Sequence, residues 1–150
     1  MFEADEKLLI QRITGGKNPL KVAYDDEKFY NKESINNLIL KKNVPYNIKY
    51  ILGLLNSRLI NWLYSIKFTN ASELTVNISK EYLSQIPIKN IPQELQKPLI
   101  NLVDKILSLS KKLKEISENS NEWNSIKVEK EATDKKIDQL VYKFYDLTSE

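Results

Sequence analysis

The chain has 150 residues, 23 Lys/Arg against 20 Asp/Glu, and neither His nor Cys. Without those two residue types the Ser-His and Cys-His nucleophile pairs, His/Cys zinc sites and Cys-X-X-Cys redox chemistry are excluded, leaving carboxylates, lysines and hydroxyls. Three glycines, two of them the adjacent Gly15-Gly16, cannot build a dinucleotide fingerprint or a phosphate-binding loop.

A chain of this length supports a domain with a real core. No apolar run reaches the roughly 18 residues that span a bilayer, and no basic-then-apolar leader opens the sequence. The absence of cysteine fits a reducing compartment, so the expectation is a cytoplasmic protein or a piece of one, with no membrane contact.

Lys7 to Thr14 reads as a strand that Gly15-Gly16 ends. Pro19 to Tyr24 reads as a second strand, and Gly-Gly-Lys-Asn-Pro between them supplies the turn, so a hairpin is predicted. Asp25-Asp26-Glu27 forms an acidic corner. Three successive carboxylates point in different directions and seldom converge on one ion, so a metal site there is disfavoured. A short strand is expected at Phe29 to Tyr30, while Ser34 to Leu40 is either a strand or a short helix.

Asn47 to about Ile66 is predicted to be one helix central to the core. Ile48, Ile51, Leu52, Leu55, Leu59, Trp62, Leu63 and Ile66 follow helical spacing, with Asn47 as the cap. Arg58, Asn61 and Ser65 form a polar stripe on it, read either as a solvent face or as a surface that touches phosphates. Leu74 to Ile78 alternates like a strand, and Ser79 caps a short turn over Lys80 to Leu83. Ile86-Pro87-Ile88-Lys89-Asn90-Ile91-Pro92 then reads as an extended connection.

Beyond it, Leu95, Leu99, Leu102, Ile106, Leu109, Leu113 and Ile116 are spaced four and three in alternation, the seam of a helix lying along another helix. Pro98 is expected in the first turn, where its missing amide hydrogen is tolerated. Ile137, Leu140, Val141, Phe144 and Leu147 give a partner helix, and an antiparallel pair follows. A homodimer through these helices is the alternative use of the seam. The expected fold is therefore α+β: a small mixed or antiparallel sheet packed on a central helix, followed by a coiled-coil-like helical pair. The division falls at residues 1–90 and 91–150, with both parts packed as one unit.

Charge is uneven along the chain. Residues 10–67 hold ten Lys/Arg against four Asp/Glu, whereas residues 91–150 hold ten against eleven. A basic front half is an electrostatic footprint for a polyanion. The chain is also rich in Lys, Asn and Ile, with only Arg12 and Arg58 as arginines, so coding bias accounts for the same excess.

Several stretches together resemble the TaqI-like C-terminal specificity domain of adenine-specific DNA methyltransferases and type IIG restriction-modification enzymes. KLLIQRITG is similar to its opening strand, and LKVAYDDEKFYNKESINNLIL to the passage that follows. YNIKYILGLLNSRLINWLYSIKF, with Leu55-Asn56-Ser57 in its middle, is similar to its best-known helix. ISKEYLSQIPIKNIP with the heptads resembles its join to the terminal helices, and IDQLVYKFYDLTSE its close. The resemblance covers nearly the whole chain and rests on order and spacing, since none of these motifs is diagnostic alone.

The resemblance implies a target-recognition module for double-stranded DNA. A separate methyltransferase domain of a parent enzyme would flip and methylate an adenine with S-adenosylmethionine, and Mg2+ would serve a nuclease if one is attached. The Asn-Pro-Pro-aromatic motif of that catalytic domain is missing here; Asn18-Pro19-Leu20-Lys21 has one proline too few. The isolated chain is therefore expected to be no enzyme and to need no cofactor. Phosphate contacts are expected from Lys17, Lys21, Lys28, Lys32, Lys41, Lys42 and Lys67. Base reading is expected from Gln11, Arg12, Asn18, Asn31, Asn43 and Asn70, because Arg pairs with guanine and Asn or Gln with adenine. Tyr30 or Tyr46 is expected on a thymine methyl or a phosphate. The rival reading is an interaction module whose terminal helices dock on a methyltransferase or another partner.

Overall fold

A computed structural model describes residues 6–11, 13–14, 19–26, 35–40, 44–68 and 76–147. The fold is α+β, as the alternation of strand and helix periods implies. β1 (Lys7–Gln11) lies between β3 (Val22–Asp25) and β4 (Ile35–Leu38), both antiparallel to it. A second small sheet pairs β2 (Ile13–Thr14) with β5 (Val76–Asn77). The predicted hairpin is thus present, and the strand-or-helix alternative for Ser34 to Leu40 resolves as strand over Ile35–Leu38. The expected strand at Phe29 to Tyr30 lies outside the described residues.

The predicted central helix is two helices, α1 (Ile48–Leu55) and α2 (Arg58–Phe68). Asn47 caps the first as expected, its side chain accepting from the Lys49 amide at 2.8 Å. The break at Asn56-Ser57 comes from side chains that compete with the helical backbone. The Ser57 hydroxyl donates to the Leu54 carbonyl at 2.6 Å, and the Asn61 amide donates to the carbonyls of Leu55 at 3.0 Å and Ser57 at 2.8 Å. Ile60 is buried, but so are Ser57, Asn61 and Tyr64, while Trp62 and Ile66 are exposed, against the expectation from uninterrupted spacing.

After α3 (Lys80–Leu83), capped by Ser79, the proline-bounded stretch is strapped down at both faces. The Tyr145 hydroxyl donates to the Pro87 carbonyl at 2.6 Å and accepts from the Lys89 amide at 3.1 Å; the Tyr50 hydroxyl donates to the Lys89 carbonyl at 2.7 Å. α4 (Gln93–Glu115) and α5 (Asn121–Phe144) then pack against each other as the predicted pair. Pro98 is the sixth residue of α4, one turn deeper than expected, so the first turn forms around Pro92 rather than around it. Leu95 is 56% exposed, so the apolar seam begins a turn later than its heptads suggest.

One apolar core runs through both parts of the chain, from Leu8 and Ile10 through α1 to Leu99, Val103, Ile137 and Val141. α1 approaches α4 closely at Gly53, where an added Cβ would lie 3.0 Å from side-chain atoms of Leu99 and Val103. Among the described residues no helix is long and apolar enough to cross a membrane.

Candidate nucleic-acid interface

Strand pairing decides where the chain can present its polar loops. Gln11 ends β1 opposite Ile35, the first residue of β4, and its amide donates to the Lys21 carbonyl at 3.1 Å. Thr14 pairs with Val76 just beyond. The described residues that flank segments 15–18 and 69–75 therefore meet at this end, as does the point where segment 27–34 enters β4. By contrast, β4 leaves at Leu38 opposite Leu8, at the other end of the sheet.

Of the residues expected to touch DNA, Gln11, Lys21, Lys67 and Tyr46 are described, and the first three are exposed. Gln11 and Lys21 stand side by side at the end just defined, and Lys67 lies in the last turn of α2, which leads into segment 69–75. Arg12, Lys17, Asn18, Lys28, Tyr30, Asn31, Lys32, Lys41, Lys42, Asn43 and Asn70 lie outside the described residues. The last residue of β4, Leu38, pairs with Leu8 at the opposite end of the sheet.

One expectation needs correction. Asn61 is not part of a solvent-facing stripe; it is buried, and its Oδ1 accepts from the Leu20 amide at 2.8 Å. That bond fixes the strand entry beside Lys21 to the helix break. Tyr46 is half-buried and stacks on Tyr50 with ring centroids 6.1 Å apart.

The acidic corner is divided. Asp25 is buried with its carboxylate 3.6 Å from the equally buried Lys7 ammonium, while Asp26 is exposed. A carboxylate held in an internal ion pair is not available to a metal. Among the described residues no cluster of three or more metal-ligating side chains occurs.

Gln96 is a residue that the sequence reading missed. It is buried in α4, donates to the Pro45 and Ile91 carbonyls at 2.8 and 3.0 Å, and accepts from the Asn47 amide at 3.1 Å. It lies one residue past Leu95, off the heptad seam, so no break in the periodicity signals it.

A second concave feature lies on the outer side of β3. A cleft of about 820 Å3 opens between Val22 and Tyr24 of β3, the α1–α2 junction and the facing sides of α4 and α5. Tyr24 closes one side, with its hydroxyl donating to Glu6 at 3.0 Å and the Lys49 ammonium over its ring. Burial, and then the Glu6 carboxylate, push the Tyr24 hydroxyl well above its ordinary range, so it stays protonated. In the cleft, Asp138 accepts from the Arg58 amide at 2.9 Å, capping α2 from 80 residues away in sequence. Burial raises the Asp138 carboxyl above its ordinary value despite that bond and the Arg58 charge, and Asp134 is raised for the same first reason.

Comparison with known proteins agrees with this architecture. The profile of the TaqI-like C-terminal specificity domain matches residues 1–88. A Methanocaldococcus jannaschii protein, whose name gives it as an inferred type II restriction enzyme and methyltransferase, is 30% identical over 146 residues. That alignment spans 97% of this chain and 11% of the relative. The structure of the type IIL restriction-modification enzyme MmeI in complex with DNA superposes over the whole chain with a TM-score of 0.72 at 14% identity, a likeness of fold, and the match covers 20% of that enzyme. The chain thus spans about a tenth to a fifth of these proteins, and it belongs to the TaqI-like C-terminal specificity domain family.

Proposed function

We propose that this chain is the target-recognition module of a restriction-modification enzyme and reads a short sequence in double-stranded DNA. The observation that carries the reading is the meeting of Gln11, Lys21 and the strand ends flanking three polar segments at one end of a rigid sheet, in a member of a specificity-domain family. A sheet edge with loops at one end offers phosphate donors and base-reading amides on a frame that does not have to reorganise on binding. The methyl transfer, with its S-adenosylmethionine, belongs to a catalytic portion of the parent enzyme, and this module supplies no group to that chemistry. No helix-mediated homodimer is needed for the reading.

The roles separate by mutation. Lys21→Ala removes a phosphate contact: it weakens binding to all duplexes alike and lowers the slope of log affinity against log salt by about 1. Gln11→Ala removes a base contact: it costs about 1–3 kcal/mol on the preferred duplex and relaxes the preference at one position. Site selection followed by titration at several salt concentrations checks both. Equal, sequence-independent effects of the two changes would refute the division of roles.

A further inference from the structure

The cleft beside β3 plays no part in the reading above, and its lining is not that of an ordinary solvated surface. The floor is apolar, built from Leu52 of α1, Val103 and Ile106 of α4, and Ile137 of α5. Around it stand five cations, Arg58, Lys111, Lys114, Lys130 and Lys135, against two carboxylates, Asp134 and Asp138. The carboxylates are matched from within: the charges of Lys130 and Arg58 act on Asp134 and Asp138 respectively. Lys111, Lys114 and Lys135 form no ion pair among the described residues. Lys111 and Lys114 are successive positions on one face of α4, so the unmatched charge is concentrated along one wall.

Such a surface discriminates between polyanions. A DNA strand would satisfy the lysines but gain nothing from the apolar floor, since its affinity comes from phosphate contacts and released counterions. An amphipathic helix or strand gains from both, burying its apolar side on the floor and setting carboxylates against the wall. A half-open volume of about 820 Å3 accommodates a few side chains of such a segment. The relatives carry most of their length outside the matched region, so a large protein surface accompanies this module in them.

We propose that the cleft is a docking site for an amphipathic, carboxylate-bearing segment of the catalytic portion of the parent enzyme. The proposal rests on the recognition-module reading for the identity of the partner, while the chemistry of the cleft stands on its own lining. Because β3 forms one wall and leads back through Lys21 to the candidate interface, an occupant would also fix the recognition end relative to the catalytic portion.

The test uses a fluorescein-labelled helical peptide of roughly 18 residues with Leu on one face and Glu on the other, and a twin with Lys in place of Glu. The protein is used whole, as wild type and as the triple variant Lys111→Ser, Lys114→Ser, Lys135→Ser, whose changed side chains are all exposed. The acidic peptide should bind, shift the amide resonances of Ala23 and Ser110, and lose about tenfold in affinity to the triple variant, while the basic twin does not bind. Duplex DNA binding should survive in the triple variant. Equal binding of the two peptides, unchanged affinity in the variant, or no binding at about 1 mM peptide overturns the docking site. So does displacement of the peptide by duplex together with loss of DNA binding in the variant, which assigns the cleft to DNA. Failure of the wild type to bind duplex sinks the recognition reading alone, because the peptide arm is read independently.

Discussion

Gln96 and Asn61 show how much of this fold depends on single buried amides. Each satisfies backbone groups from two other segments, and neither is exchangeable for an apolar residue of similar size. Gln96→Leu would leave the Pro45 and Ile91 carbonyls and the Asn47 amide without their partner. We expect a loss of about 2–4 kcal/mol in urea unfolding, since each buried unsatisfied group costs about 1–3 kcal/mol. A loss below about 0.5 kcal/mol would show that water replaces the side chain. Asp138 gives a different signature. Its carboxyl is raised in the folded state, so the native protein holds that proton more tightly than the unfolded chain does. The ionised group therefore opposes folding, and stability declines as pH rises from about 4, the unfolded value, through the raised folded value. Asp138→Asn keeps an acceptor for the Arg58 amide and removes this titration. The variant should match the wild type below about pH 4 and gain on it above that pH. A difference that does not vary with pH would contradict the assignment.

At the scale of elements, periodicity located most of the structure and failed where side chains overrule it. The strand period over Lys7–Gln11, the Asn47 cap and the heptads of α4 were legible because each rests on local spacing or capping chemistry, whereas the expected single strand to Thr14 divides into β1 and β2 in two sheets. The helix break was not legible. Leu55-Asn56-Ser57 lies inside an unbroken apolar rhythm, and what divides it is the set of bonds from Ser57 and Asn61 to nearby carbonyls, held in place by the Asn61 bond to Leu20, 41 residues away in sequence. Asp138 capping α2 across the molecule is illegible for the same reason. The packing of α1 on α4 makes a further prediction. Gly53→Ala gains about 1 kcal/mol of helix propensity, but its methyl meets the buried Leu99 and Val103 side chains at 3.0 Å, so both must give way. Overpacking of about 1–3 kcal/mol should win, for a net loss of about 1 kcal/mol by denaturant unfolding. A stabilised variant would mean that the α1–α4 contact relaxes more readily than its geometry implies.

For the molecule as a whole, the basic front half pointed toward a polyanion, and family membership agrees with that direction. The candidate site was legible only as a set of residue types. The predicted hairpin places Gln11 and Lys21 together, whereas the pairing of β1 with β4, which no local pattern encodes, brings Ile35 to the same end. The near-neutral charge of the helical half concealed a second feature, because its balance is an average over a helical pair whose β3-facing side is cationic. The most direct test of DNA recognition is a fluorescence-anisotropy titration of this chain with random-sequence duplex at about 50 and 200 mM salt. Recognition through phosphate contacts predicts binding at the lower salt that weakens at least about tenfold at the higher, as released counterions require. Binding that ignores salt, or no binding in either buffer at tens of micromolar protein, would contradict it.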